Sequence, residues 1–354
     1  MMSNENKSAS CQQSRMMKAL RREPTDCTPI WMMRQAGRYM QEYREVREKT
    51  SFLDLCQNPS LCAEVMITAV ERLDVDAAII FSDLLPILQP MGMELEFQKG
   101  EGPVIHNPVR SLEDCENLRP LDDPQELGFV YETVRLTRAA LRPELPLIGF
   151  SGAPFTLASY AIEGGASRNY VHVKKMMHGK SGLWDVIMSR LADAVAKYLI
   201  EQIKSGADIV QIFDSWAGCL SVSDYARFVK PYSAEAIRRV KEFSPETPVI
   251  HFATGNPMLL PEIREAGGDC IGADWRIDLD DAWDLIGRDR SIQGNLDPAV
   301  LLGAREEIEA SAARVLRQAA GRPGHVFNLG HGILKETPVQ NAIDLVKIVR
   351  DLSS

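Results

Sequence analysis

The sequence predicts a single-domain (β/α)₈ barrel of the TIM type with elaborated loops at its C-terminal face, and three observations carry that expectation. Eight short segments rich in apolar and β-branched residues recur, most of them followed directly by Gly, Asp or Ser. Longer stretches with apolar residues at helical spacing lie between them. No Ser/Gly-rich linker divides the chain. Alternation of this kind reads as a parallel α/β protein, and eight units favour a closed barrel over the doubly wound open sheet, which is the runner-up.

In order, the segments are 30–33, 77–81, 145–150, 209–213, 249–252, 270–273, 291–293 and 326–329, with helical patterns such as 183–204, 224–243 and 306–320 between them. The irregular stretch 86–124 reads as an extended loop after the second strand. A weak internal echo supports the repeat: Asp76, Asp208 and Asp269 each open a strand, and in the last two a helix and then a Gly precede the Asp, as a helix C-cap would. Residues 1–14 are polar and lack an apolar signal-peptide core, so they read as a disordered tail, with residues 15–354 forming the catalytic barrel.

Composition narrows the function. The 354 residues are 45% hydrophobic and 25% charged, with a formal charge of -9, which speaks against a nucleic-acid-binding surface. No apolar run is long enough to span a bilayer. The seven cysteines are scattered without a Cys-x-x-Cys pair, as expected of buried thiols in a reduced cytoplasmic protein. Against the global charge, residues 15–50 hold nine Lys/Arg and five Asp/Glu, a local basic patch.

Within that patch stands Arg34-Gln35-Ala36-Gly37-Arg38-Tyr39, directly after the first apolar segment. Two guanidiniums four residues apart form a clamp for carboxylates or phosphates, Gly37 lets the backbone approach a ligand, and Arg44 and Arg47 keep the field positive. An ordinary surface turn with weak ion pairs would look the same on these residues alone. In barrels the chemistry gathers where strands end, which singles out Arg34, Asp83, Ser151-Gly152, Asp214-Ser215, Thr254-Gly255, Asp274-Trp275, Asn295 and His331. This set contains no evident metal cluster, no Schiff-base lysine, no Gly-x-Gly-x-x-Gly and no Walker loop, so no cofactor and no metal are expected.

The motifs resemble one family closely. Residues 29–39 (Pro-Ile-Trp-Met-Met-Arg-Gln-Ala-Gly-Arg-Tyr), 81–83 (Phe-Ser-Asp), 149–160 (Gly-Phe-Ser-Gly-Ala-Pro-Phe-Thr-Leu-Ala-Ser-Tyr) and 163–165 (Glu-Gly-Gly) are similar to uroporphyrinogen decarboxylases. So are 213–218 (Phe-Asp-Ser-Trp-Ala-Gly), 293–298 (Gln-Gly-Asn-Leu-Asp-Pro) and 328–333 (Asn-Leu-Gly-His-Gly-Ile). The resemblance runs in order from about residue 15 to the end.

It implies cofactor-independent removal of carbon dioxide from the four acetate side chains of uroporphyrinogen III, giving coproporphyrinogen III. It also implies a homodimer. By resemblance, Asp83 accepts the inward pyrrole N–H groups and stabilises the protonated ring, although alone it would read as a helix N-cap. Arg34 and Arg38 match arginines that engage substrate carboxylates and Arg47 a more peripheral one, while the Gln35-Ala36-Gly37 backbone lines the same wall. Tyr160, Ser215 and His331 match positions that hydrogen-bond acetate or propionate groups; in isolation each has an ordinary structural reading.

The proton donor stays open at this point: arginine is a poor acid, and His331, a protonated Asp83 or a substrate carboxylic acid is chemically easier. The enzymatic alternative is a zinc-dependent corrinoid or thiol methyltransferase of similar barrel, but His251-Phe252-Ala253 and His331 stand where thiolates should be. A phosphate cradle at Gly294, Gly330 and Gly332 would leave Asp83 and the arginine pair without roles. A non-catalytic tetrapyrrole carrier would not need the full polar set.

Overall fold

The computed structural model describes residues 10–98, 102–179 and 182–354. Its strands are β1 (Ala78–Ile79), β2 (Leu95–Gln98), β3 (Gly102–Ile105), β4 (Leu147–Gly152), β5 (Ile209–Asp214), β6 (Val249–Ala253), β7 (Cys270–Gly272), β8 (Ser291–Leu296) and β9 (His325–Leu329). Seven form one parallel sheet in the order β1-β4-β5-β6-β7-β8-β9, and β2 and β3 make a separate antiparallel hairpin. Helices such as Pro59–Leu73, Gly128–Ala140, Leu183–Lys204, Lys230–Phe243, Arg305–Ala319 and Val339–Ser353 surround the sheet.

The eighth stave is the segment 29–31, and it closes the ring with single bonds instead of a ladder. Phe327 N donates to Pro29 O (2.8 Å), Trp31 N to Phe327 O (3.3 Å) and Asp76 N to Ile30 O (2.8 Å). The predicted first strand, 30–33, shrinks to this bridge for two reasons. Ile30 N goes to the Asp76 carboxylate (2.9 Å) and Met33 N to the Asn328 side chain (3.1 Å), so side chains take the place of ladder partners. Pro29, besides, has no N–H to give.

The echo of strand-opening aspartates is one device used three times. Asp208 Oδ2 accepts from Leu147 N (2.8 Å) and Arg138 Nη1 (2.8 Å). Asp269 Oδ2 accepts from Val249 N (2.8 Å) and Lys241 Nζ (3.0 Å). Asp76 treats Ile30 N the same way, with Arg350 alongside at 3.4 Å. Each aspartate thus satisfies the first free amide of the preceding stave and ties it to a helix cation, which fixes the rim opposite the strand ends where the site forms.

Four predicted bounds change. The pattern 224–243 is two helices, Val222–Phe228 and Lys230–Phe243, because Pro231 in the first turn of the second cannot donate backward into the first. The third strand starts at Leu147, beyond Pro146, and the seventh runs on to Leu296. The tail expected over 1–14 ends early: residues 10–12 are helical, Cys11 is 2% exposed, and Ser14 caps the helix Arg15–Leu20 through Met17 N. Residues 1–9 lie outside the described residues.

Inside the barrel, below the strand ends, the core is partly polar. Trp31 Nε1 donates to Gln293 Oε1 (3.0 Å), and Gln293 Nε2 lies 3.4 Å from Gln211 Oε1. The stretch 86–124 carries the β2–β3 hairpin, which reaches the C-terminal end of the helix Pro154–Glu163 through a Val104–Gly165 bridge.

Candidate active site

Arg34 leaves the barrel in the left-handed conformation (φ 63°), which turns the chain out of the sheet and across the strand ends. Gln35 is fully buried beneath it: its Nε2 donates to Ala77 O (3.2 Å), and Tyr39 Oη donates to its carbonyl (2.7 Å). The side chain of Gln35 therefore anchors the loop and does not face a ligand. Among the described residues, the amides of Ala36, Gly37 and Arg38 and the guanidiniums of Arg34 and Arg38 have no hydrogen-bond partner, an arrangement suited to anions. Both arginines are exposed.

Arg47 differs. It donates to Thr50 O and stacks 5.6 Å from the Phe52 ring centroid, and Phe52 packs on Phe81 at 6.3 Å. It approaches the site from behind the β1 loop, already partnered, as suits a peripheral role.

Asp83 follows β1, half-buried, with Oδ1 accepting from Leu85 N (3.0 Å). The cap reading and the ligand reading are thus compatible, since Oδ2 has no protein partner among the described residues. Burial pushes its carboxyl above the usual carboxylate range, while the Leu85 amide and the Arg34 charge pull it back. Tyr160, from the helix Pro154–Glu163, is close enough that burial and the Asp83 charge push its phenol up to about 12. Its ring meets Trp216 edge-on at 5.7 Å.

His331 sits in the turn after β9 between two close approaches. A Cβ on Gly330 would lie 3.0 Å from Trp275 Cε3, and one on Gly332 2.7 Å from Arg34 Cγ, so neighbours crowd both glycines too closely for a side chain. The imidazole contacts the Trp275 ring at 6.3 Å. Burial, then the charges of Arg34 and Arg276, push it down to about 4, so it is neutral at physiological pH.

Ser215, His331, Tyr170, Trp216, Trp275 and Arg276 line a cavity of about 640 Å³, inside the ~300–1,000 Å³ typical of small-molecule sites. Arg34, Asp83 and Tyr160 converge beside it: Asp83 acts on Tyr160, and Arg34 on Asp83, Tyr160 and His331.

Other strand-end residues serve as scaffold. Asp274 Oδ2 accepts from Thr254 Oγ1 (2.7 Å), Gly255 N (2.6 Å) and Arg276 Nη1 (2.5 Å). Asn295 Nδ2 donates to Asp274 O (2.9 Å). Asp214 is fully buried, takes one bond from Thr156 Oγ1 (3.0 Å), and is pushed up to about 7 by desolvation. Sequence reasoning passed over Tyr170, Trp216 and Arg276; the Asp274-Trp275 strand end was the signal for the last. Among the described residues no three His, Cys, Asp or Glu are grouped to hold a metal. His251 packs toward Gly268 at the helix layer, its Cβ 3.2 Å from where a glycine Cβ would stand.

Comparison with known proteins matches residues 11–352 to the uroporphyrinogen decarboxylase (URO-D) family. The chain is 51% identical over 341 residues to a uroporphyrinogen decarboxylase of Koribacter versatilis, covering 96% of this chain and 97% of that protein. It is 49% identical over 338 residues to one of Solibacter usitatus, with 96% and 97% covered. Among solved structures, a methyltransferase from Methanosarcina mazei superposes with a TM-score of 0.80 at 20% identity, over 95% of this chain and 97% of that one, a likeness of fold alone.

Proposed function

This chain belongs to the uroporphyrinogen decarboxylase family and is a carboxy-lyase of porphyrin biosynthesis; we propose that it converts the four acetates of uroporphyrinogen III to methyl groups around Asp83. Each event has the balance –CH₂–COO⁻ + H⁺ → –CH₃ + CO₂. Protonation of a pyrrole carbon beside the acetate-bearing position makes the ring an iminium-like electron sink. The C–C bond to the carboxylate then breaks into that sink, the resulting methylene takes up a proton, and loss of the ring proton restores the pyrrole.

Three tasks follow for the protein. Carboxylates must be held, and the unpartnered Arg34 and Arg38, with the Ala36 and Gly37 amides, have donors to spare. The cation must be stabilised: the free Asp83 oxygen would accept pyrrole N–H groups, and in a desolvated site its charge acts strongly on the ring. Water must be limited, which the Trp216, Tyr170 and Trp275 walls assist.

Tyr160, Ser215 and His331 fit as hydrogen-bonding partners of acetate or propionate, and Arg47 supports the rim. As a proton source, a substrate carboxylic acid suits better than His331, neutral above about pH 4, or an arginine, and it leaves Asp83 ionised as the counter-charge. The observation that carries the reading is the convergence of Asp83, Arg34 and Tyr160 beside a polar-rimmed cavity. Anaerobic incubation with uroporphyrinogen III, with products separated by carboxylate count, tests it: a hepta- to tetracarboxylate series supports it, and unchanged substrate defeats it.

The same reading takes the protein as a cytoplasmic homodimer. All seven cysteines are free thiols, and no helix among the described residues is long and apolar enough to cross a membrane. Val171 and Met258, each 62% exposed, stand just beyond cavity-lining loops and would be covered by a second copy. Sedimentation at the mass of one chain would remove the dimer.

A further inference from the structure

We propose that Arg276, stacked on Trp275, is a second carboxylate anchor of the cleft, gripping a peripheral carboxylate of the tetrapyrrole on the side of His331 away from Arg34. The inference rests on the substrate assigned above and concerns a residue outside the set matched to the family.

Among the described residues, Arg276 is the only cation lining the 640 Å³ cavity. Its guanidinium carbon lies 4.0 Å from the Trp275 ring centroid, which sets the plane of the fork. Its Nη1 is tethered at 2.5 Å to Asp274 Oδ2 and 3.2 Å to Thr254 Oγ1. The Nε and Nη2 edge has no partner among the described residues, and it is the edge that takes a carboxylate in a bidentate pair. The side chain is 43% exposed, so a ligand in the cavity can reach it.

Its tether does not depend on it. Asp274 also accepts from Thr254 Oγ1, Gly255 N and Arg276 N, so the strand-end turn keeps three bonds when the guanidinium is removed. Asp297 lines the same cavity, with Oδ1 occupied by Ala299 N (2.9 Å), and would repel a carboxylate on its side, so the anion is directed to the Trp275 wall.

Position gives the anchor its meaning. Around the ring, β7 delivers Arg276, β9 delivers His331, and the segment after 29–31 delivers Arg34. The His331 turn touches Arg34 at Gly332 and Trp275 at Gly330. Two guanidiniums therefore flank one neutral imidazole. A macrocycle with carboxylates around its whole perimeter can engage both at once, with its inward N–H groups toward Asp83.

The test is steady-state kinetics with uroporphyrinogen III, together with anaerobic equilibrium dialysis of the product coproporphyrinogen III, for wild type, Arg276→Gln and Arg276→Lys, each checked for an unchanged thermal transition. Arg276→Gln should raise KM and the dialysis Kd by roughly ten- to a hundredfold, the worth of a charge-assisted pair, with a much smaller change in kcat. Arg276→Lys, which keeps charge but not the fork, should fall between. Unchanged KM and Kd in the Gln variant would overturn the anchor. So would a fall in kcat alone in both variants, the sign of a structural role. If Gln fails to fold, Lys decides by the same readings. A wild type that binds the substrate without releasing carbon dioxide would overturn the decarboxylase reading, while a weakened Kd in the variants would still uphold the anchor.

Discussion

Arg34 crosses the bare backbone of Gly332: a Cβ there would lie 2.7 Å from its Cγ and 2.9 Å from its Nε. Gly332 is required by this approach, not by its own conformation, since its φ is not in the left-handed range. Gly332→Ala should therefore displace the guanidinium while leaving the melting temperature nearly unchanged. KM for uroporphyrinogen should rise roughly tenfold, equivalent to about 1.4 kcal/mol of lost charge-assisted bonding. Unchanged KM would show that the arginine reaches substrate by another route.

Arg38 has a free guanidinium at the mouth of the same loop. Arg38→Lys keeps the charge and loses the planar fork, so binding should weaken by roughly 1–3 kcal/mol if a desolvated carboxylate sits there. Kinetics identical to wild type at both low and high salt would place Arg38 outside the site.

Asp214 predicts a pH-dependent stability. Its carboxyl is raised from 3.8 to about 7 by burial. A raised pKa in the folded state means that the stability from its proton is fully present below about pH 4 and is lost as pH rises toward about 7. Asp214→Asn cannot ionise, so its melting temperature relative to wild type should climb between about pH 4 and about pH 7 and level off above that, by the equivalent of roughly 1–3 kcal/mol. A pH-independent difference would mean that Asp214 already shares its charge with a partner.

The barrel was legible because its signals are local: apolar runs, helical spacing, and an aspartate at the mouth of three strands. What sequence could not show is which bonds are made by side chains. Asp76 and Asn328 replace ladder partners around 29–33, and no spacing rule reports that. In the site, Arg34, Asp83, Tyr160 and His331 were named and are brought together, whereas the Gln35 side chain is buried under the loop it belongs to. Arg276 escaped notice because its use depends on the cavity it faces and on the contact of its Nη1 with Thr254 Oγ1, which exist only once β6 and β7 lie side by side.

The expected independence from cofactors has a direct check. Activity should survive exhaustive dialysis against a strong chelator and need no added small molecule. Loss of turnover that zinc restores would favour the methyltransferase alternative.

The central claim is that Asp83 acts by charge. Asp83→Asn is nearly isosteric, but it removes the counter-charge and turns N–H donors toward the pyrrole N–H groups; Asp83→Glu keeps the charge and moves it by one methylene. The decisive measurement is the rate of first-acetate release for the two folded variants, followed as heptacarboxylate product. The account predicts a fall on the order of 10² or more for Asn, the scale of losing one electrostatic stabiliser, and more residual activity for Glu. An Asn variant that equals or outperforms Glu would contradict it.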